Sequence, residues 1–342
     1  MLKVIGVTGT NGKTTITYIL QTILKKAGYK VAVNGTLTGR LTTPSPWDLQ
    51  KKINFLRKQN YDYLIMEASS HGIFQDRIKG IYFVAKLLTN ITQDHLDYHK
   101  TWWAYRKVKL GWMKRGEGIK IYPKDYKKLK IDYPPPFLGE FNYKNFQAAI
   151  AVAKALGVKE EVIEKAIKEV KAVPGRFENI NCGQKYKVIV DYAHTPDGLQ
   201  NVLKTARQIL KKQKTGKLIT VFGCGGDRDK GKRPKMGRIS RKLSDLSIVT
   251  SDNPRSEDPQ KIIKDILVGM CRKHNNGYIK LPSIQIETDR RKAINAAIKI
   301  ARDNDLVLIA GKGHENYQIL KNKRIHFDDR EEAQKAIKKA KK

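Results

Sequence analysis

The residues best suited to chemistry lie at the start of the chain, in the run Thr8-Gly9-Thr10-Asn11-Gly12-Lys13-Thr14-Thr15. The apolar residues before this run predict a buried strand, and the apolar residues after Thr14 recur at helical spacing. A strand, a glycine loop and a helix N-terminus together form a cradle for phosphate, because backbone N–H groups and the helix dipole favour an anion. In such a cradle Lys13 reaches the terminal phosphates and Thr14 ligates Mg²⁺.

The match to the phosphate-loop pattern G-x-x-x-x-G-K-[ST] is incomplete. Val7 occupies the first glycine position, and Gly6 lies one residue too early. A plain glycine turn between a strand and a helix is therefore the alternative. Because Gly12, Lys13 and Thr14 lie in the required strand–loop–helix context, the sequence favours a nucleotide site and predicts an NTP-binding enzyme.

Two further strands are expected to bring polar side chains to the same edge of the sheet. The strand at 63–66 ends at Glu67, and the strand at 83–89 is followed by a run rich in His and Asp at 94–99. In open α/β sheets, ligands bind beyond the carboxyl ends of the strands. Glu67 offers hard oxygen ligands for Mg²⁺. The run at 94–99, taken alone, is equally well a solvated loop or a source of imidazole and carboxylate ligands.

Alternating strand and helix patterns continue to the end of the chain. The fold class predicted is α/β, with a phosphate-loop-containing parallel-sheet ATPase domain at 1–172 and a Rossmann-like α/β domain at 173–342. Val173-Pro174-Gly175-Arg176 breaks the preceding helix and is the predicted hinge. The other predicted strands are at 30–34, 188–191, 218–222, 246–250 and 306–310, and the predicted helices are at 46–58, 102–113, 143–156 and 159–170.

Composition restricts the class of protein. The chain has 342 residues, 40% of them hydrophobic, and no apolar run of the roughly 20 residues that a membrane span needs. The phosphate loop follows Met1 too closely for a signal peptide, and three scattered cysteines fit a reducing compartment, so a cytoplasmic protein without a membrane partner is expected.

The formal net charge of +35 has two interpretations. A nucleic-acid partner is one of them. A lysine-rich compositional bias, with some attraction for polyanionic substrates, is the other. Since the lysines are spread along the chain and no nucleic-acid-binding motif accompanies them, the second interpretation is favoured and no nucleic-acid partner is predicted.

Eight motifs resemble, in the same order, those of the Mur ligases. The resemblance extends from residue 1 to about residue 333, and the motifs lie at 6–15, 66–71, 94–99, 175–178, 191–196, 222–234, 252–255 and 310–315. The pattern is most similar to the branch that adds the third residue of the peptidoglycan stem peptide. The implied reaction phosphorylates a substrate carboxylate with ATP, after which an amino group attacks the acyl phosphate and phosphate leaves. Mg²⁺ fits this chemistry because it neutralises approaching anions.

The resemblance also implies roles for individual residues. Lys13, Glu67, His95 and Lys109 would be catalytic, with two Mg²⁺ ions: Thr14 and Glu67 hold one, and Glu67, His95 and a carbamylated Lys109 hold the other. The residues implied to bind ATP are Gly9, Thr10, Asn11, Gly12, Lys13, Thr14, Thr15, Asn142 and Asn145 (adenine), Arg176 (phosphates) and Asp191 (ribose). Those implied to bind the acceptor are Thr42, Thr43, Ser69 and Arg77. Those implied to bind the incoming amino acid are Arg228, Asp252, Asn253, Arg255, Gly311 and Glu315.

The motif Asp252-Asn253-Pro254-Arg255 is the form associated with meso-diaminopimelate as the incoming amino acid. Arg255 can bind the distal carboxylate with two hydrogen bonds, and lysine has no such carboxylate. Glu315 could accept from the distal ammonium. The alternative is that Arg255 is a surface residue after a proline turn.

The acceptor is the least certain substrate at this level. The expected substrates are ATP, the amino acid and a UDP-linked muramoyl dipeptide. Members of the family carry an N-terminal domain that binds UDP, whereas this sequence begins at the strand before the phosphate loop. The connection between Lys109 and Gly139 is also shorter than usual. A separate UDP-binding chain, a different acceptor that lacks UDP, or a non-catalytic scaffold are the remaining alternatives; the retained catalytic residues speak against the scaffold.

Overall fold

A computed structural model describes residues 1–39, 41–133, 135–274, 277–279, 283–321 and 323–341. The chain separates into two compact units. Unit 1 comprises Met1–Thr92 and His99–Lys171, and unit 2 comprises Gln93–Tyr98 and Ala172–Lys342. The segment Gln93–Tyr98, which the sequence assigns to the first domain, thus groups with the second half of the chain.

Unit 1 contains a five-stranded sheet and its covering helices. The strands are β1 (Lys3–Thr8), β2 (Val31–Asn34), β3 (Tyr63–Glu67), β4 (Ala85–Leu88) and β5 (Ile119–Ile121). The helices are α1 (Lys13–Lys26), α2 (Pro46–Lys58), α3 (Ser70–Phe74), α4 (Leu96–His99, which begins in the segment that groups with unit 2), α5 (Trp102–Lys114), α6 (Pro123–Tyr126), α7 (Glu140–Ala155) and α8 (Glu160–Glu169).

The sheet of unit 1 has the order β2-β3-β1-β4-β5 and is parallel throughout. Successive residues of β1 point to opposite faces, so Ile5 and Val7 join the core beneath α1, α7 and α8. Val4 joins a second core with α2, α3 and α5. Because both faces are covered, the strand ends are where polar side chains can gather.

Unit 2 contains a six-stranded sheet and two small hairpins. Its strands are β6 (Glu178–Asn179), β7 (Lys187–Asp191), β8 (Leu218–Phe222), β9 (Leu246–Val249), β10 (Arg272–His274), β11 (Gly277–Ile279), β12 (Ile284–Ile286), β13 (Leu306–Ala310), β14 (Tyr317–Leu320) and β15 (Lys323–His326). Its helices are α9 (Pro196–Gln213), α10 (Lys232–Leu243), α11 (Pro259–Val268), α12 (Arg290–Ile300) and α13 (Asp329–Ala340).

The large sheet of unit 2 has the order β12-β9-β8-β13-β7-β6. Every pairing is parallel except that of β6 with β7, which is antiparallel. Helices α12 and α13 share a core with one face of the sheet. The carboxyl ends of β7, β9 and β13 lead directly into three of the motifs singled out by sequence, so the topology gathers those motifs at one edge.

The predicted α/β class with parallel sheets is confirmed, and the predicted strands and long helices are present. Helix α2 has the predicted bounds because Ser45 accepts a hydrogen bond from Asp48 N and Pro46 occupies the first turn. The short elements α3, α4, α6 and β5 were not predicted, since they lack the length that makes a periodic pattern visible. Across the described residues, no helix is long and apolar enough to span a membrane.

Candidate active site

The loop between β1 and α1 has the backbone conformation of a phosphate cradle. Gly9 and Gly12 have φ of 143° and 88°. A residue with a Cβ atom would be strained at these backbone angles. A Cβ at Gly9 would collide with Thr89 Oγ1, and one at Gly12 would collide with Asn145 Oδ1. Both glycines are therefore required by conformation and by close packing, although the pattern's first glycine is absent.

Lys13 and the start of α1 make this loop positive. Lys13 Nζ donates to Gly9 O at 3.0 Å and to Thr10 O at 2.9 Å, so the ammonium lies against its own loop. The first turn of α1 contains no acidic residue, and no side chain of the described residues caps it at Gly12. The dipole at the N-terminus of α1 therefore favours an anion.

The residues that follow β4 fix the loop from one side. Asn90 O accepts from Thr10 N at 2.9 Å, and Asn90 Oδ1 accepts from Asn11 N at 3.0 Å. Thr89 Oγ1 donates to Asn11 O at 2.7 Å. These bonds fix the loop before any ligand binds, and sequence reasoning did not single out either residue.

Helix α5 fixes the loop from another side. The buried Tyr105 hydroxyl is 2.8 Å from Thr10 Oγ1. One helical turn later, the buried Lys109 Nζ donates to Gly9 O at 2.9 Å and lies 4.9 Å from the Tyr105 ring centroid. The structure thus places Lys109 at the phosphate loop, and its role as a metal ligand stays a prediction.

Glu67 lies beside Thr14. Thr14 Oγ1 donates to Glu67 Oε1 at 3.0 Å, and the backbone N–H and hydroxyl of Thr36 donate to the two carboxylate oxygens at 2.9 and 3.0 Å. The side chain is almost completely buried, and no ion pair within the described residues includes it. A buried carboxylate surrounded only by hydroxyl and N–H groups favours the approach of a cation. Thr36 was missed by the sequence, where nothing distinguishes it from other loop threonines.

The four residues implied to bind the acceptor are linked to Glu67 through Thr43 and Thr36. Thr43 Oγ1 donates to Glu67 O at 2.9 Å and lies 3.0 Å from Ser69 Oγ. Arg77 Nη1 donates to Thr43 O at 2.9 Å, and Thr42 Oγ1 lies 3.3 Å from Thr36 Oγ1. Unit 1 therefore brings Thr14 and Glu67, two of the predicted metal ligands, together with the predicted acceptor residues.

Asn142 and Asn145 are buried on α7. Asn142 Nδ2 donates to Leu138 O at 2.9 Å, and Asn145 Nδ2 is 3.4 Å from Asn142 Oδ1. Because Asn145 lies against Gly12, both amides are near the phosphate loop. Their contact with adenine stays a prediction.

His95 belongs to the segment that groups with unit 2. Its φ is +54°, and its Nε2 is 3.3 Å from Asp94 Oδ2. Burial alone would raise the pKa of Asp94, but the charges of His95 and Lys232 lower it well below its usual range. Asp94 thus remains ionised and orients the imidazole of His95.

Asp191 ends strand β7 and receives two backbone donors. Phe177 N and Ala193 N each donate to its carboxylate at 2.7 Å. Burial raises the pKa of Asp191 to about 6, and the nearby Arg176 opposes that shift. The Arg176 guanidinium itself lies 4.3 Å from the centroid of the Tyr192 ring. Unit 2 therefore brings Arg176 and Asp191 together, and their contacts with ATP stay predictions.

Arg255 and Arg228 converge on Gly225. A Cβ on Gly225 would be 2.9 Å from Arg255 Nη1 and 3.7 Å from Arg228 Cγ. Burial, and next the charge of Arg228, lower the pKa of Arg255. Neither guanidinium takes part in an ion pair among the described residues, and Arg255 donates only to carbonyls, Gly226 O at 2.8 Å and Asn253 O at 3.3 Å. Asp252 and Glu315 act on Arg255 only as charges beyond ion-pair distance, so two adjacent guanidinium groups with no ion pair of their own among the described residues are suited to bind an anion.

A buried charge cluster lies at the ends of β9 and β13. Asn253 Nδ2 donates to Glu315 Oε2 at 2.9 Å, and Lys312 Nζ donates to the same oxygen at 3.3 Å. Burial, and next the charge of Asp252, raise the pKa of Glu315. Burial would also raise the pKa of Asp252, but Lys312 and Arg290 outweigh it and lower that pKa. Lys312 was not predicted, although it lies inside the motif Gly311–Glu315.

Comparison with known proteins matches both halves of the chain. Residues 7–131 match the family described as "Mur ligase middle domain", and residues 175–313 match "Mur ligase, glutamate ligase domain". A relative from Clostridium botulinum, named UDP-N-acetylmuramoyl-L-alanyl-D-glutamate--2,6-diaminopimelate ligase, is 41% identical over 98% of this chain and 78% of its own length.

The chain belongs to the Mur ligase family. A relative of the same name from Vibrio vulnificus is 38% identical over 98% of the chain and 77% of its own length. A solved structure of a protein with that name covers 100% of the chain and 79% of its own length, at 32% identity and a TM-score of 0.59. A pseudomurein peptide ligase from Methanothermus fervidus, at 20% identity and a TM-score of 0.66, shares the fold.

The chemistry of a divalent cation fits this Mur ligase at Thr14 and Glu67. Among the described residues, no three His, Cys, Asp or Glu side chains gather into a metal cluster. The donors instead are one hydroxyl and one buried carboxylate at a phosphate loop, the hard oxygen ligands that Mg²⁺ takes together with nucleotide phosphates. The second metal site and the carbamate on Lys109 stay predictions.

Proposed function

We propose that this Mur ligase uses ATP to join meso-diaminopimelate to UDP-N-acetylmuramoyl-L-alanyl-D-glutamate. The observation that carries the proposal is the 41% identity, over 98% of the chain, to a relative named for that reaction. The clustering of Thr43, Ser69 and Arg77 around Glu67 supports it, because an acceptor carboxylate must lie close to the nucleotide.

In the proposed reaction an acceptor carboxylate oxygen attacks the terminal phosphorus of ATP, and ADP leaves. The amino group of meso-diaminopimelate then attacks the carbonyl carbon of the acyl phosphate, and inorganic phosphate leaves as the amide forms. Lys13 and the N-terminus of α1 would bind the phosphates. A divalent cation bound by Thr14 and Glu67 would neutralise phosphate charge, so that an anionic nucleophile can approach.

We further propose that Lys109 acts as a carbamate. Carbon dioxide would add to the neutral amine with release of a proton, which converts a cation into a carboxylate-like ligand for a second Mg²⁺ together with Glu67 and His95. The contact of Lys109 with the loop carbonyl of Gly9 supports this role, because it places the amine at the phosphate site. Residues 1–172 would then serve as the nucleotide domain and 173–342 as the amino-acid domain.

The Arg228–Arg255 pair supports meso-diaminopimelate as the incoming amino acid. Its distal carboxylate would neutralise two adjacent guanidinium groups that have no acidic partner among the described residues. Lysine has no distal carboxylate, so it would leave the positive charge of the two guanidinium groups uncompensated. The pair therefore supplies both attraction for one substrate and discrimination against the other.

The test is ATP-dependent phosphate release with the intact UDP-linked dipeptide and with meso-diaminopimelate, lysine or no amino acid. Release and a ligated product with meso-diaminopimelate alone are expected. Release that requires a different acceptor would contradict the proposed acceptor, whereas release that requires an added UDP-binding polypeptide would mean that a partner chain completes the acceptor site. Equal product formation with lysine would contradict the proposed role of the arginine pair.

A further inference from the structure

Lys312 is completely buried, so its positive charge must be compensated by specific hydrogen-bond and ion-pair partners. Its side chain is 0% exposed. Nζ donates to Asn253 Oδ1 at 3.1 Å and to Glu315 Oε2 at 3.3 Å, and it lies 3.9 Å from Asp252 Oδ1. Nζ also lies 5.4 Å from the centroid of the Tyr317 ring. Because an isolated buried ammonium is strongly unfavourable, these contacts together stabilise the charge inside the protein.

The two carboxylate oxygens of Glu315 have different surroundings. Oε2 accepts from both Lys312 and Asn253, whose own Oδ1 is fixed further by Ile319 N at 3.0 Å. Oε1 has a single long contact of 3.4 Å with the Tyr192 hydroxyl, well beyond the usual distance for such a bond. The side chain keeps 15% exposure, so Oε1 is the oxygen with capacity for another donor.

We propose that Lys312 is a positioning residue for the amino-acid pocket: it holds Glu315 through Oε2 and thereby presents Oε1 to the distal ammonium of the incoming amino acid. This inference rests on the proposed function, and it adds a residue to which the family resemblance assigned no role. Lys312 does not itself touch the substrate.

Among the residues that the structure describes, Lys312 is the one cation within ion-pair distance of Glu315. Arg290 is fully buried, but its guanidinium is bound to Asp329 at 2.7 Å through two nitrogens. Without the Lys312 ammonium, Asp252 and Glu315 would be two neighbouring carboxylates that repel each other, and one of them would take up a proton. A protonated Glu315 would no longer offer an anionic oxygen to an ammonium group.

The experiment compares wild type with Lys312→Met and Lys312→Arg, using meso-diaminopimelate and 2-aminopimelate, which lacks the distal ammonium. We expect the KM for meso-diaminopimelate to rise about tenfold or more in Lys312→Met, the size of a lost charged hydrogen bond. The KM for ATP should stay within roughly twofold, and the preference for meso-diaminopimelate over 2-aminopimelate should disappear. Lys312→Arg keeps the charge and should recover part of that preference.

The matched control is Lys86→Met. Lys86 is also buried, and its Nζ donates to two carbonyls, Trp112 O and Arg115 O, in unit 1. This variant tests the general effect of removing a buried lysine, so both KM values should match wild type. An unchanged preference in Lys312→Met, or the same change in Lys86→Met, overturns the inference.

Calorimetric binding of meso-diaminopimelate to the full chain separates this inference from the proposed function. Binding by wild type that Lys312→Met loses, in a protein that shows no ligation, supports the inference while the proposed function fails. Ligation by wild type with unchanged binding in Lys312→Met overturns the inference alone. No binding of meso-diaminopimelate by wild type overturns the inference as well.

Discussion

Both units bury carboxylates close to the ends of parallel strands, but they treat the negative charge differently. In the described part of unit 1, the partners of the Glu67 carboxylate are the hydroxyls of Thr14 and Thr36 and one N–H group. In unit 2, Asp252 and Glu315 share the buried ammonium of Lys312. The first arrangement leaves its whole charge for an external cation, whereas the second is partly neutralised by a lysine of the fold itself. The comparison teaches that buried acids at equivalent places in two α/β units can serve metal binding in one and substrate recognition in the other.

The strongest way to break this comparison is Glu67→Gln. The amide keeps the shape but removes the charge, so we expect phosphate release to fall by about a thousandfold. Thermal stability should be retained or increased, because an uncompensated buried charge is removed. Glu169→Gln, an exposed acid paired with Lys26 in the same unit, is the control. Substantial activity in Glu67→Gln would contradict the role of a cation there.

Lys109→Ala is expected to lower activity by about a hundredfold, since a metal ligand in carbamate form would be lost. A short carboxylic acid such as acetate should restore part of the activity by occupying the vacated space. Lys107→Ala, at an exposed position of the same helix, should behave as wild type. Full activity of the unrescued Lys109→Ala protein would refute the carbamate.

Arg255→Ala tests the proposed role of unit 2 in substrate recognition. Loss of one guanidinium should raise the KM for meso-diaminopimelate by roughly thirtyfold and leave the KM for ATP nearly unchanged. Steady-state kinetics with lysine as a competing substrate measures the remaining discrimination. Arg291→Ala, on the exposed side of α12, is a suitable control. If the preference over lysine survives in Arg255→Ala, the distal carboxylate binds elsewhere.

The smallest expected effect concerns pH and the stability of unit 2. Burial, and next the charge of Arg176, lower the pKa of His314 to about 3. An unfolded histidine titrates near pH 6.5, so below that pH the unfolded chain binds more protons and stability falls as the pH drops towards 3. Thermal unfolding at pH 7 and pH 5 should therefore show a larger decrease in Tm for wild type than for His314→Gln. Equal decreases would mean that His314 titrates alike in the folded and the unfolded chain, which would contradict the prediction.

Much of the fold follows from local sequence because the signals are local. The bounds of α2, β8 and β13 are the predicted ones, since a proline in the first turn and uninterrupted apolar runs mark them. Helix α3 has only five residues and depends on Ser69, whose hydroxyl accepts from Gly72 N. Its motif was visible, but its helical conformation was not.

Some residues of the candidate site could likewise be predicted from local sequence, and others could not. Residues within contiguous motifs, such as Lys13 and Glu67, could be named because the motif carries their chemistry. The roles of Thr36 and Lys312 depend on partners distant in sequence, Glu67 in one case and Asn253 in the other. The hydrogen bond between a buried lysine and an asparagine 59 residues away depends on the tertiary fold, and no local sequence pattern predicts it.

The position of Lys13 has a consequence for the kinetics of nucleotide exchange. Its ammonium already satisfies two loop carbonyls, so an arriving phosphate takes over bonds that exist instead of adding new ones. The enthalpy gained from the phosphate is thereby offset in part by the loss of the bonds from Lys13 to the loop carbonyls, and those bonds form again when the product leaves. The loop thus keeps its shape between turnovers, and release of the spent nucleotide is made easier by the lysine that helped to bind it.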